Sequence, residues 1–160
     1  MTDPTQGQYV PTSGIPEPQA PPWDIPLRWT SNSLTCETSQ RGPGVVALEA
    51  CGEIDTVTAP QFAAVLAPLM RSELHIVILD LHRVTFLSTS GLQLLLNSRD
   101  AFRRAGCQLR LAGPSRAIER PLNRLRLVDR FDIHDDISRA LRRPYVPPPR
   151  SHRTAGGAIQ

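Results

Sequence analysis

The chain has 160 residues, with 18 basic side chains that are all arginine, 15 acidic ones and a formal net charge of +3. That length suits one domain with tails, and so small a surplus gives no reason to expect direct nucleic-acid binding. No apolar run approaches the ~18–20 residues of a bilayer-spanning helix, which excludes a transmembrane segment.

Proline placement divides the chain. Seven of its 16 prolines lie in residues 1–26 and four in residues 144–149. The Pro-, Gln- and Thr-rich start carries too few aliphatic residues to offset the entropy of ordering. Residues 1–32 are therefore expected as a disordered Pro-rich tail, 33–143 as the folded domain and 144–160 as a disordered Pro/Arg-rich tail. Arg139, Arg142, Arg143, Arg150 and Arg153 make the C-terminal end basic. An Arg-rich solvated end is the simpler reading of it than a nucleic-acid or membrane contact. The three cysteines are an odd set without CxxC spacing, and no basic-then-apolar leader is seen. The expected compartment is a reducing cytoplasm, without membrane contact.

Taken in order, SLTCET (33–38) and GVVALEAC (44–51) read as strands, joined as a hairpin by the Gly-Pro-Gly turn. After GEID a helix begins, with Thr58 as its expected cap and Pro60 in its first turn. Phe62, Val65, Leu66, Leu69 and Met70 form its apolar stripe, and Pro68 should kink or shorten the last turn. LHIVIL (74–79) is β-branched enough for a buried central strand. A second helix is expected from Ser90, with Leu92, Leu95, Leu96 and Phe102 inward, Arg103 and Arg104 opposing the dipole, and Gly106 as its left-handed end. CQLRLA (107–112) alternates as a half-exposed strand. A third helix follows Gly113-Pro114-Ser115, with Ile118, Leu122 and Leu125 inward and Pro121 interrupting its ladder. A short FDI strand and a DISRALRR helix capped by Asp135 complete the order. The expected fold class is α/β, a mixed, mostly parallel sheet of four to five strands packed with about four helices.

Enzymatic motifs are missing. There is no GxxxxGK or GxGxxG loop and no GxSxG elbow. His75, His82, His134 and His152 stand at no metal-ligand spacing, so neither a metal nor a cofactor is expected. Cys51 ends one strand and Cys107 begins another, which leaves a redox pair to test. Such a bond needs Cα atoms about 4.4–6.8 Å apart.

The distinctive segment is FLSTSGLQLLL (86–96). Three consecutive hydroxyl residues, Ser88, Thr89 and Ser90, precede a glycine at a helix start. Read locally, Ser90 is an N-cap. Read functionally, a hydroxyl here is a phosphorylation site, beside a helix end that tolerates an anion.

GEID at 52–55, VILDLHRVTFLSTSGLQLLL at 77–96, AGCQLRLAGPSRAIERPL at 105–122 and the final DISRAL helix together resemble the STAS domain of anti-sigma-factor antagonists, over about residues 44–142. The resemblance implies a STAS fold and a non-enzymatic partner switch. The unphosphorylated domain binds an anti-sigma factor, usually a serine kinase, and a phosphatase reverses the phosphorylation. It places the phosphorylated serine at Ser90, with Thr89 as second choice. It also implies a partner surface of Asp55, Thr56, Leu87, Ser88, Thr89, Ser90, Gly91, Leu92 and Leu94, with Asp55 fixing the loop beside Ser90. The motif acid is replaced by Ser88, and Pro121 stands where the family has an aliphatic residue. The alternative reading is therefore a STAS scaffold, a transporter-associated or stressosome-type subunit, that is not phosphorylated.

Overall fold

The computed structural model describes residues 28–71 and 73–147. The expectation of disorder for the outer parts of both tails lies outside the described residues. In chain order the elements are β1 (Arg28–Thr30), β2 (Leu34–Gly42), β3 (Val45–Ile54), α1 (Thr58–Met70), β4 (Ile76–Leu87), α2 (Thr89–Arg104), β5 (Gln108–Ala112), α3 (Arg116–Arg124), a 3-10 turn (Val128–Arg130), β6 (Asp132–His134) and α4 (Ile137–Arg142). They build one sheet in the order β1-β2-β3-β4-β5-β6. β1, β2 and β3 pair antiparallel, and β3 through β6 pair parallel.

The α/β class and the mostly parallel sheet agree with the sequence reading. The strand number does not: six strands stand where four to five were expected. The additional strand is β1, inside the segment expected to be disordered. Trp29 explains it, because its ring is partly buried against the main core while Arg28–Thr30 pairs with Thr35–Glu37. The folded unit also runs past residue 143. Tyr145 is half-buried, donates its hydroxyl to the carbonyl of Gly106 (3.0 Å) and packs its ring on His75.

The main core lies between one sheet face and α1, α2 and α3. Phe62, Leu66 and Leu69 of α1 meet Leu95 and Phe102 of α2, Ile118 and Leu122 of α3, and the inward residues Leu48, Ile54, Val77, Leu79 and Leu111 of the strands. The opposite face is smaller: Ala47, Ile76, Ile78 and Ala112 are covered by Ala140 of α4. Gly106 ends α2 in the left-handed region, φ 79°, as expected. Neither Pro68 nor Pro121 prevents its helix from forming, but each lies near the end, and α1 stops two residues beyond Pro68.

Three local expectations need correction. Thr58 is the buried first residue of α1 rather than its cap. Asp136, not Asp135, caps α4 by accepting from the Arg139 N–H at 2.7 Å. Leu125 does not point inward; it is 57% exposed. The helix ends at Arg124, and the turn after it brings Leu127 to the core instead.

Candidate functional site

The distinctive segment forms the junction of β4 and α2. Ser88, with extended backbone, is the N-cap, and its hydroxyl accepts from the Gly91 N–H at 3.1 Å. This corrects the local reading of Ser90 as the cap, because the helix starts one residue earlier, at Thr89. Ser90 and Thr89 are both exposed in the first turn. Their hydroxyls have no capping duty, so a change there leaves the helix start intact. The first N–H groups of a helix lack intrahelical acceptors, and the dipole is positive there.

Gly91 is required by a close approach. A Cβ on it would lie 2.6 Å from the carbonyl oxygen of Ile54 and 2.7 Å from Leu87 Cδ1. The same carbonyl accepts from the Ser88 N–H at 2.9 Å. The end of β3 and the start of α2 are therefore locked together at Ile54. Only glycine lets the helix sit so close.

The loop after β3 is fixed by Asp55. Its Oδ1 accepts from the N–H groups of Val57 and Thr58, both at 2.8 Å. The Thr58 hydroxyl accepts from the Asp55 N–H at 2.8 Å and is within 2.7 Å of the Glu53 carbonyl. The backbone bond from Thr58, foremost, holds the Asp55 carboxyl below the usual carboxylate range. Its role is thus to start α1, which Thr58 was expected to do.

Between α1 and α2 runs an open groove of about 590 Å³, lined on one side by Thr56, Ala59 and Pro60 and on the other by Ser90, Gln93 and Leu94. Among the residues expected at a partner surface, the structure brings Thr56, Thr89, Ser90 and Leu94 together on this groove. Leu87 and Ser88 are half-buried and are not among its lining residues. Two expected contacts are corrected. Leu92 is only 7% exposed and belongs to the core, and Gly91 is buried; both shape the junction from beneath. Val57 (70% exposed) and Phe86 (49%) lie within the loop at residues 53–57 and the segment at residues 86–95, where the partner surface was expected, and both stand in solvent.

The cysteine pair does not form. Cys36, Cys51 and Cys107 are all free. Val45 is level with Ile76, and Ile76 with Gln108. Cys51 lies six residues further along β3, about 20 Å at about 3.3 Å per residue. Cys51 and Cys107 thus sit at opposite ends of the sheet, with β4 between their strands. Burial pushes the thiols of Cys36 and Cys107 up to about 12, which makes both unreactive. Among the described residues no group of three or more His, Cys, Asp or Glu side chains is placed to hold a metal ion. No helix there is long and apolar enough to cross a membrane.

One buried group was not anticipated. Arg110 of β5 is fully buried on the α4 face. It donates to the carbonyls of Ala140, Arg143 (2.8 Å) and Pro144 (3.0 Å) and to Gln108 Oε1 (2.7 Å), with Asp132 at 3.5 Å. Its position in an alternating strand reads as solvent-facing. The signal that covers it is the short DISRALRR helix further along the chain.

Residues 38–140 match the family model of the STAS domain. No curated protein sequence matches the chain. Among solved structures, an anti-sigma factor antagonist from Mycobacterium paratuberculosis is 24% identical over 70% of this chain and 94% of its own, with a TM-score of 0.62. The anti-sigma factor antagonist SpoIIAA of Bacillus, in its unphosphorylated form, is 17% identical over 66% of this chain and 92% of its own, with a TM-score of 0.56. The murine anion transporter Slc26a9 is 20% identical over 64% of this chain and 18% of its own, with a TM-score of 0.55. At these identities the likeness is one of fold.

Proposed function

Since the chain belongs to the STAS domain family, we propose that it is an anti-sigma factor antagonist acting in the cytoplasm, one that works by binding rather than by catalysis. Its partner is an anti-sigma factor of the serine-kinase type, docked on the groove between α1 and α2. Phosphorylation of Ser90 breaks that complex, and a phosphatase restores it. The observation that carries this reading is the division of labour at the α2 start. Ser88 caps the helix, and Ser90 stands exposed on the groove rim with its hydroxyl free for chemistry.

A phosphate at Ser90 brings about −1.5 to −2 charges into a groove whose lining residues carry none. The helix N-terminus accommodates the anion on the free protein, so the fold survives. A docked partner must desolvate the same charge, and that separates the complex.

Ser88 in place of the motif acid changes the rate but preserves the geometry. Serine and aspartate are near-equal N-caps, so the junction keeps its shape and loses only a negative charge beside the target hydroxyl. Phosphorylation is accordingly slow, and Ser88→Asp should accelerate it. The test is mass spectrometry of the chain after incubation with the anti-sigma kinase and ATP, with a binding titration of Ser90→Ala and Ser90→Asp alongside. Ser90→Ala should bind and resist the kinase, and Ser90→Asp should bind at least about tenfold more weakly, or about 1.4 kcal/mol. Equal binding of both variants would remove Ser90 from the interface. Phosphate on Thr89 alone would move the site by one residue.

The replaced acid also favours a second reading, a STAS scaffold in a transporter-associated or stressosome-type assembly that is never phosphorylated. Recovery of a permease rather than an anti-sigma factor with the purified chain would select it.

A further inference from the structure

Arg116, Arg120 and Arg124 recur every fourth residue along α3, and all three are exposed. At about 1.5 Å rise per residue they form a row about 12 Å long on one helix face. Arg126 and Arg130, also exposed, extend it through the turn and the 3-10 segment that follow. Glu119 and Asp129 share this surface and leave it a surplus of three positive charges. Among the described residues, no ion pair involves any of the five arginines.

The turn is unusual in itself. The Leu127 N–H donates to the Leu122 carbonyl at 2.8 Å and the Arg126 N–H to the Asn123 carbonyl at 3.1 Å, the pattern of a Schellman ending. The left-handed position in it is ordinarily glycine. Here it is Arg126, φ 55°, the one non-glycine residue with positive φ among the described residues. An L side chain is strained there, and the strain puts a long cation on the surface. The same turn sends Leu127 to the core and leaves Leu125 57% and Val128 37% exposed. Two aliphatic side chains thus stand in water among Arg124, Arg126 and Arg130.

Unpaired cations attract any anion; the aliphatic pair narrows the class. A duplex phosphate backbone makes no use of Leu125 and Val128. A single strand would stack on aromatic rings, and residues 116–130 contain none. Arginines interleaved with exposed aliphatic residues at a helix end are the composition of a surface that rests on anionic lipid. We propose that the end of α3 and the turn after it form a peripheral docking surface for an anionic membrane. The guanidinium groups engage headgroup phosphates, and Leu125 and Val128 enter the boundary of the acyl region. The groove at Ser90 is a separate surface, so one molecule can hold a protein partner and a membrane at once.

The test is co-sedimentation of the full chain with vesicles of phosphatidylcholine alone and of equal parts phosphatidylcholine and phosphatidylglycerol, at low and high salt. The protein should pellet with the anionic vesicles and be released at high salt, which screens exposed charge. Each arginine near such a surface contributes about fivefold in partition. R120E with R124E should therefore cut binding by more than about twenty-fivefold, and Leu125→Ser by about tenfold. All three sites are exposed, and thermal melts will show that these variants fold. Equal pelleting with both vesicle types would overturn the proposal. So would wild-type binding by the R120E/R124E variant, or loss of binding only on replacing Arg150 and Arg153. Displacement of the vesicles by duplex DNA, with Leu125→Ser without effect, would make the surface a phosphate-backbone site and end the lipid assignment.

Discussion

The two faces of the sheet handle polar groups in opposite ways. At the α2 start, neutral hydroxyls stand in or near solvent, and one of them, Ser88, does the structural work. On the α4 face a fully buried guanidinium does it. Arg110 gathers the carbonyls of Ala140, Arg143 and Pro144, which are the free carbonyls at and just beyond the end of α4. A helix of six residues is too short to hold itself. Its end is satisfied by a charge from the sheet beneath it. On the function proposed, the first region changes chemical state without unfolding, a freedom that the second lacks. A site built for switching belongs where structure and chemistry rest on different side chains.

The largest expected effect breaks the second region. Arg110→Ala leaves several carbonyls without a donor and takes from Asp132 its one fully buried cationic neighbour, a loss of about 3–5 kcal/mol. Burial, foremost, lowers the affinity of this guanidinium for its proton, Asp132 opposes that in part, and Arg143 adds to the lowering. A denaturant melt will measure the change. If Arg110→Met, of similar volume, melts within about 0.5 kcal/mol of wild type, the clasp on α4 is dispensable and the contrast between the faces fails.

Gly91→Ala comes next. The added Cβ would meet backbone at Ile54, which cannot swing aside as a side chain can. Overpacking of this kind costs about 1–3 kcal/mol, and α2 must shift away from β3 to relieve it. Partner binding should therefore fall together with stability, whereas Ser90→Asp should lower binding alone. If Gly91→Ala proves neutral in the melt, the Ile54 junction is looser than these contacts require.

Ser88 sharpens the comparison further. Ser88→Ala removes the cap and should cost about 1 kcal/mol, while Ser88→Asp should keep or slightly raise stability through the dipole. An unchanged melt for Ser88→Ala would return the capping role to another residue.

These residues also mark how far the sequence could be read. The apolar stripes of α1 and α2 and the glycine end of α2 follow from periodicity and local sterics, and they stand where expected; the central strand was expected at residues 74–79, but β4 continues to Leu87. The family resemblance named four of the residues that line the groove, Thr56, Thr89, Ser90 and Leu94, and none of the others. What local pattern did not reveal depends on contacts distant in sequence. Trp29 recruits β1 by reaching the core, and Arg110 looks exposed until α4, some thirty residues later, covers it. Leu125 keeps helical spacing but lies one residue past the helix, and Leu92 belongs to the family motif yet faces the core. The start of α2 was displaced by one residue, which was enough to assign the cap to Ser90 instead of Ser88.

The smallest expected effect concerns Asp55, the acid that the site region retains. Its carboxylate accepts two backbone N–H groups at the start of α1, and these hold its proton affinity below the usual carboxylate value. A carboxyl whose folded value is depressed contributes stability that is present above its unfolded value, about 3.9, and lost as pH falls through the folded value. The contribution is therefore full at neutral pH and fades in acid. Asp55→Asn keeps an oxygen that can accept a bond from the same N–H groups but removes the charge. Its melting temperature should lie slightly below that of wild type at neutral pH, and the gap should close as the pH drops below about 4. Because Asp55 is only half-buried, salt should narrow the gap at neutral pH as well. A gap that stays constant from neutral pH into acid would mean that the charge is irrelevant and hydrogen bonding alone sets the loop. In that case the loop beside Ser90, like the cap at Ser88, would be held by neutral groups throughout. The full charge contrast with the Arg110 face would then extend to every residue that shapes the groove.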